Sequence, residues 1–264
     1  MTLIHLQQDG PVARLFIDNP SRKNAVSRAM WRAVPELVAQ AVAHAGIRAL
    51  TLQSAAPGCF AAGADISEFE STFSTTAESL KANAEIRAAV NAIAACPFPT
   101  LALIDGPCVG GGVALALGCD IRIASDRATF GITPARLGLS YHPDDVTRLL
   151  RACGKGNAGE LLFGGQIWNA QRGVSAGLAN TLYPAAEFEG ACAALVAAIC
   201  ANSLDANMAL KRALAAAESR DSQSLQQAEA EFAALFSKPD FHEGRDAFLQ
   251  KRKAIFPSHR RGKD

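Results

Sequence analysis

The stretch DGPCVGGGVALALGCD, residues 105–120, decides how the chain is read. An apolar run of strand length, residues 101–105, enters a turn holding Gly106, Pro107 and the triplet Gly110, Gly111 and Gly112. Glycine has no Cβ, so the backbone here can approach a ligand or another backbone closely. A helix opening at the triplet aims its unpaired N–H groups at negative charge beyond its N-terminus. A second small-residue turn, FAAGADI at residues 60–66, also follows a strand-like run, residues 47–53. Two such turns facing one point can stabilise a developing oxyanion. The spacing is not GxGxxG, and no early strand opens directly into such a loop, which counts against a dinucleotide site.

Around these turns, strand-like and helical patterns alternate in the order of an α/β fold. Residues 3–6 and 12–18 flank a Gly10-Pro11 turn and predict a β-hairpin. Met30, Trp31, Val34, Leu37, Val38, Ala41 and Val42 share one helical face stopped by Gly46, and Pro35 is expected to kink or delay that helix. Residues 80–94 predict a helix ended by Pro97, residues 121–124 a strand, and Pro143 the first turn of a helix ended by Gly154. Capping-box spacing, Ser224 with Gln227 and Asp240 with Glu243, opens two late helices. Leu225, Ala228, Phe232, Leu235 and Phe236 form a stripe on the first, and Phe248, Lys251 and Ile255 line up on the second. The predicted organisation is a core over residues 1–202 and a C-terminal helical region over residues 203–264.

A chain of 264 residues can bury a substantial core without disulfides. Its cysteines, an odd number without CxxC spacing, predict free thiols in a reducing compartment. The N-terminus has no apolar signal-like segment and no stretch reads as a membrane span, so a cytoplasmic location without membrane association is expected. A net charge of +1 argues against a dedicated nucleic-acid binder. Lys251, Arg252, Lys253, Arg260, Arg261 and Lys263 nevertheless form a local basic cluster, which on composition alone is a solvated surface. His5, His44, His242 and His259 lack metal-ligand spacing, and no metal is expected.

Five motifs then occur in order: FAAGADISEF (60–69), DGPCVGGGVALALGCD (105–120), FGITPARLGL (130–139), AQRGVSAGL (170–178) and EGRDAFLQKRKAIF (243–256). Together they resemble the successive motifs of the crotonase (enoyl-CoA hydratase/isomerase) superfamily, nearly end to end. The resemblance implies an α/β, crotonase-like spiral of ββα units with a C-terminal helical trimerisation region. It implies a trimer or dimer of trimers acting on an acyl-coenzyme A in fatty acid metabolism, with no cofactor beyond the coenzyme A moiety of the substrate. The family's thioester-binding backbone amides match Ala64 and Gly111. Arg22 and Lys23 in NPSRKNA resemble the family's CoA-contacting stretch, and Ala61, Asp65, Ile66 and Ser67 fall where adenine and pantetheine pass. Phe232 and Lys251 fall where a neighbouring subunit's C-terminal helices meet the CoA nucleotide, which implies a phosphate contact for Lys251.

The same resemblance marks a departure. A standard hydratase of the family has one glutamate shortly after the oxyanion glycine, where this chain has Ala114, and another ahead of the LG pair, where it has Pro134. Neither side chain can move a proton. TPARLGLSY is similar to the corresponding stretch of the family's methylmalonyl-CoA decarboxylases, which have a tyrosine matching Tyr141 and lack both glutamates, but carry a histidine where this chain has Ala64. Loss of carbon dioxide forms the enolate directly and needs only oxyanion stabilisation and a later proton. The leading expectation is therefore a malonyl-type acyl-CoA decarboxylase in which Tyr141 positions the carboxylate or supplies the proton. The alternatives are an enoyl-CoA hydratase or isomerase with its acid/base moved to His142, Asp144 or Asp145, and a non-catalytic acyl-CoA-binding protein. His142 has the chemistry for acid/base work near neutrality and matches the nucleophilic aspartate of the family's aroyl-CoA dehalogenases; equally, it precedes a helix. Asp144 and Asp145 sit where acids complement a helix dipole.

Overall fold

The computed structural model describes residues 3–72 and 74–260; Arg261 and Lys263 of the basic cluster lie outside the described residues. The first two segments pair as the expected hairpin. β1 (Ile4–Asp9) pairs antiparallel with β2 (Val12–Ile17), Ile4 opposite Ile17 and Asp9 opposite Val12. α1 (Arg28–Ala43) follows, capped by Ser27, whose Oγ accepts from Met30 N at 3.3 Å. The helix begins ahead of Pro35 and carries it inside, so the expected delay does not occur. The Ser27 cap and the buried face of Met30, Trp31, Val34 and Val38 outweigh the one backbone bond a proline removes.

β3 (Ala49–Ser54) is followed by the short α2 (Phe69–Thr72) and by α3 (Thr76–Ala94). α3 starts earlier than the apolar spacing indicates because Thr75 Oγ1 accepts from Glu78 N at 3.2 Å. Two ββα units come next: β4 (Thr100–Ile104), β5 (Pro107–Val109) and α4 (Gly111–Leu117), then β6 (Ile121–Ser125), β7 (Thr129–Gly131) and α5 (Pro143–Gly164). β8 (Ile167–Asn169), α6 (Ala170–Ala176), β9 (Thr181–Tyr183) and α7 (Ala185–Ala201) lead to the C-terminal helices α8 (Leu204–Ser219), α9 (Ser222–Leu235) and α10 (Pro239–Leu249). Each ββα unit gives one strand to each of two sheets, ordered β1-β2-β3-β4-β6-β9 and β5-β7-β8. Beyond the first hairpin, every pairing in the larger sheet is parallel.

A parallel sheet must be covered on both faces, and β4 shows how this is met. All five of its residues are buried. Leu101 and Leu103 pack with Phe188, Cys192 and Val196 of α7, whereas Ala102 and Ile104 point into the main core with Leu15, Leu50 and Leu52. α1 and α3 contribute Val34, Val38, Val90 and Ile93 to that core. Each leucine buried this way contributes roughly 1.5–3 kcal/mol. The cysteines are free thiols, six of them buried and Cys59 half-buried. Among the described residues no single helix is long and apolar enough to cross a membrane.

Several helix ends differ from the sequence expectation. Gly154 (φ 72°, ψ 164°) breaks α5 as expected, but the helix resumes and runs to Gly164. α9 is capped by Asp221, which accepts from Ser224 N at 2.8 Å, and not by Ser224. Asp240 is no cap either: Lys238 holds that place. Asp240 is instead buried and accepts from Ser203 Oγ at 2.5 Å, from Ser258 N at 2.8 Å and from Ser258 Oγ. These bonds tie α8 and the chain after α10 to one carboxylate. α10 ends at Leu249 and Lys251 takes φ 52°, so Lys251 and Ile255 do not continue a stripe with Phe248. α9 has no buried residue, and its apolar stripe stays exposed at Leu225, Phe232 and Phe236.

Candidate active site

The two small-residue turns are joined edge to edge. Ala61 N donates to Pro107 O at 2.8 Å and Val109 N donates to Ala61 O at 2.9 Å, a parallel bridge between Ala61 and Cys108. On the other side of the first turn, Val26 N donates to Gly63 O at 2.8 Å and Asp65 N donates to Val26 O at 3.1 Å. That pattern leaves the intervening Ala64 N–H facing away from Val26, and Ala64 is exposed. Gly110, at φ 51° and ψ −110°, turns the chain into α4 through a conformation that glycine alone adopts cheaply. Gly111 is the first residue of α4, so its N–H has no intrahelical acceptor. A Cβ on Gly111 would lie 3.8 Å from Ala64 N, which makes the two amides neighbours. Gly112 lets the turns meet, since a Cβ there would lie 2.6 Å from Ala61 O.

The peptide joining Gly110 to Gly111 is held from behind. Gly110 O accepts from Tyr141 Oη at 3.0 Å and from Ala114 N at 3.2 Å. The bond is trans, so the Gly111 N–H points the opposite way from that carbonyl. Hydrogen bonds to a peptide carbonyl polarise its N–H, and the Tyr141 hydroxyl is thus coupled to the amide facing the site. Burial, then the nearby Asp145, push the Tyr141 pKa well up, so the hydroxyl stays a donor. Ala114 is buried in α4, and Pro134 opens the turn at residues 134–137.

His142 caps α5, its Nδ1 accepting from Asp144 N at 3.2 Å. A neutral ring in that bond carries its proton on Nε2. Asp144 is exposed, 3.7 Å from His142 Nδ1 and 4.0 Å from Arg87. Asp145 is buried and paired to Arg148 at 3.2 Å; burial raises its pKa, with Arg148 and His142 opposing. Among the described residues no group of His, Cys, Asp or Glu is placed to hold a metal ion.

Of the residues matched to coenzyme A contacts, the structure brings together Arg22, Asp65 and Ser67. Arg22 Nη1 pairs with Asp65 Oδ1 at 2.9 Å and contacts Ser67 Oγ, and Asp65 Oδ1 accepts from Ser67 N at 3.0 Å. Burial alone would raise the Asp65 pKa, but Ser67 and Arg22 outweigh it and hold it below the usual value. Lys23, in a left-handed turn, is exposed, and its carbonyl accepts from Ala62 N at 3.1 Å. Ile66 is exposed and Ala61 is buried. Phe232, on α9, stacks edge-on against Phe236, and Lys251 follows α10; among the described residues neither bonds to the Arg22 cluster.

Beside Ala64 lies a narrow cavity of about 50 Å³. Trp31, Phe69 and Ile86 wall it, with Arg28, Glu68 and Asn83 at its polar side. Thr72, Ala82, Asn83 and Ile86, from the end of α2 and from α3, line the cavity, two of them polar; Phe73 lies outside the described residues. Trp31 touches the site itself: a Cβ on Gly111 would lie 2.8 Å from its Cζ2. Arg28, Trp31 and Glu68 were not singled out by sequence. Arg28 donates to Glu85 and Glu78, and its backbone N donates to Glu68 Oε2 at 2.7 Å, a contact between α1 and the turn after Asp65 that no local spacing encodes.

Comparison with known proteins places the fold. The profile of the enoyl-CoA hydratase/isomerase family matches residues 7–259. A crystal structure of an enoyl-CoA hydratase/isomerase family protein from Hyphomonas neptunium superposes with a TM-score of 0.93 at 38% identity, covering 97% of this chain and 98% of that one. An enoyl-CoA isomerase/hydratase of Mycosarcoma maydis is 31% identical over 255 residues, 93% of this chain and 92% of that protein. Mouse mitochondrial methylglutaconyl-CoA hydratase is 33% identical over 175 residues, 66% of this chain, and the match spans only 55% of the mouse protein. The chain belongs to the enoyl-CoA hydratase/isomerase family and has the crotonase-like α/β fold.

Proposed function

We propose that this protein decarboxylates a short malonyl-type acyl-coenzyme A, holding the thioester oxygen on the Ala64 and Gly111 amides. The observation that carries the reading is two neighbouring amides in a chain whose positions matching the family's glutamates are Ala114 and Pro134, neither of which can transfer a proton. In this reaction the bond from Cα to the carboxylate carbon breaks and its electron pair enters the enolate. Carbon dioxide leaves, and a proton then returns to Cα. No base is needed to start it. Tyr141 acts through the Gly110 carbonyl, strengthening the Gly111 donor, and His142 in its imidazolium form, which gives up the bond from Asp144 N, delivers a proton to Cα and is left neutral. Arg22 and Lys23 take the coenzyme A phosphates, and Ala61, Asp65, Ile66 and Ser67 border its adenine and pantetheine.

In the same proposal, residues 203–264 build a cytoplasmic homotrimer or a dimer of trimers that places Phe232 and Lys251 of one subunit at its neighbour's coenzyme A. Its support is the exposed stripe on α9, where Phe232 is 62% and Phe236 53% accessible.

A second reading, hydration or isomerisation with the acid/base relocated to His142, Asp144 or Asp145, is favoured by the names of the relatives. A mass-spectrometric turnover screen against methylmalonyl-, ethylmalonyl-, crotonyl- and 3-hydroxyacyl-CoA separates the two. Loss of carbon dioxide is the expected result. Hydration of crotonyl-CoA without decarboxylation would transfer the case to His142, Asp144 or Asp145, and binding without any turnover would leave an acyl-CoA-binding protein.

A further inference from the structure

A cavity of about 670 Å³ lies at the opposite end of α4 from the Gly111 amide, between the turn at residues 117–120, α5 and α8. Small-molecule sites occupy roughly 300–1,000 Å³. Arg122, Arg148, Arg151 and Lys211 line it, against the carboxylates of Asp120 and Glu218. Three of the four cations have partners. Lys211 pairs with Asp120 at 2.8 Å, Arg151 with Glu218 at 3.4 Å, and Arg148 with Asp145 at 3.2 Å.

Arg122 differs. Its Nε donates to Leu178 O at 2.8 Å and its Nη1 to Cys119 O at 2.9 Å, and among the described residues no carboxylate lies within ion-pair distance. Burial lowers its pKa, yet a guanidinium remains charged at physiological pH. The remaining hydrogen of Nη1 and both hydrogens of Nη2 have no acceptor among the described residues. Asp120 and Glu218 act on it only through space, so the guanidinium keeps donors free for an anion that enters the cavity. Leu117, Ala152 and Leu214 give the same cavity an apolar wall.

We infer that this cavity binds a small organic anion, its carboxylate or phosphate paired with Arg122 and its carbon skeleton lying along Leu117, Ala152 and Leu214. The site shares no residue with the proposed reaction, so it stands or falls separately. Glu218 and Arg151 form its exposed rim, at 58% and 47% side-chain accessibility.

Isothermal titration calorimetry at fixed ionic strength tests it, with hexanoate and phenyl phosphate as probes for the two headgroups and sodium chloride as control. One saturable site per chain for at least one organic probe is expected, weakened about tenfold or more in Arg122→Gln. Because Arg122 also holds two carbonyls, two variants on exposed positions guard against misfolding. Glu218→Gln removes a like charge and should tighten binding about threefold, whereas Leu214→Glu adds one and should weaken it by a similar factor. Absence of a saturable site for both probes overturns the inference, as does an affinity that Glu218→Gln and Leu214→Glu leave unchanged.

Discussion

Gly112→Ala puts the junction of the two turns under direct test. The added Cβ would lie 2.6 Å from Ala61 O and 2.9 Å from Ala61 Cβ, where ordinary contact begins near 3.4 Å. The turns must therefore part by about 0.8 Å. Neither clashing group can rotate away, since one is backbone and the other an alanine methyl. The retreat pulls on the Ala61 N to Pro107 O and Val109 N to Ala61 O bonds, and so displaces Ala64 relative to Gly111. Overpacking of this kind costs about 1–3 kcal/mol, and a misplacement near 1 Å costs about a hundredfold in rate. We expect kcat/KM on whichever thioester the wild type turns over to fall roughly 30- to 100-fold, with Tm lower by about 2–4 °C per kcal/mol. Gly190→Ala is the control, because it lies in α7 with no atom within 4 Å of the added Cβ. Steady-state kinetics and differential scanning calorimetry read both variants. A Gly112→Ala enzyme within threefold of wild type at unchanged Tm would show that the two turns do not need a glycine at 112 to hold Ala64 against Gly111.

Tyr141→Phe removes one donor from the Gly110 carbonyl and should lower kcat about three- to tenfold with KM nearly unchanged, in kinetics run across pH 6–9 that show no new ionisation. Burial would raise the Asp105 pKa, but Arg127 at 2.6 Å, Ser125 Oγ at 2.6 Å and Gly58 N at 3.0 Å outweigh it and hold it below its usual value. A depressed folded-state pKa means stability that is complete above the unfolded value of about 3.9 and is lost as pH falls through the folded value. Asp105→Asn should therefore flatten the acid limb of a urea-denaturation series while lowering stability at neutral pH. On the proposed assembly, the wild type should run as a trimer or hexamer in light scattering coupled to size exclusion, and Phe232→Asp should run as smaller species and bind coenzyme A more weakly.

What the sequence carried well was local. The glycines at 110–112 announce a backbone approached closely, because Gly112 has room for a hydrogen and nothing larger. The hairpin from Ile4 and the strands at Ala49 and Thr100 follow from alternation and compact apolar runs. Caps shifted where a better side chain stood a few residues away, as Asp221 did for Ser224. Asp240 illustrates a different limit: its spacing imitates a cap, while Ser203 and Ser258, distant in sequence, claim its carboxylate. Trp31, Arg28 and Glu68 were hidden for the same reason. Trp31 reads as one more position on a buried helical face, and only the crossing of α1 over the turn at Ala64 brings its ring edge to Gly111. The Tyr141 hydroxyl likewise meets Gly110 across 31 positions of chain.

In the proposed function the Ala64 and Gly111 amides polarise a thioester carbonyl. Infrared difference spectroscopy on acetyl-coenzyme A, isotope-labelled at that carbonyl and bound to the protein, measures this without requiring turnover. We expect a band shifted to lower frequency than in solution, with part of the shift lost in Tyr141→Phe and nearly all of it in Gly112→Ala. A carbonyl band at its solution frequency in the bound wild-type complex would contradict it.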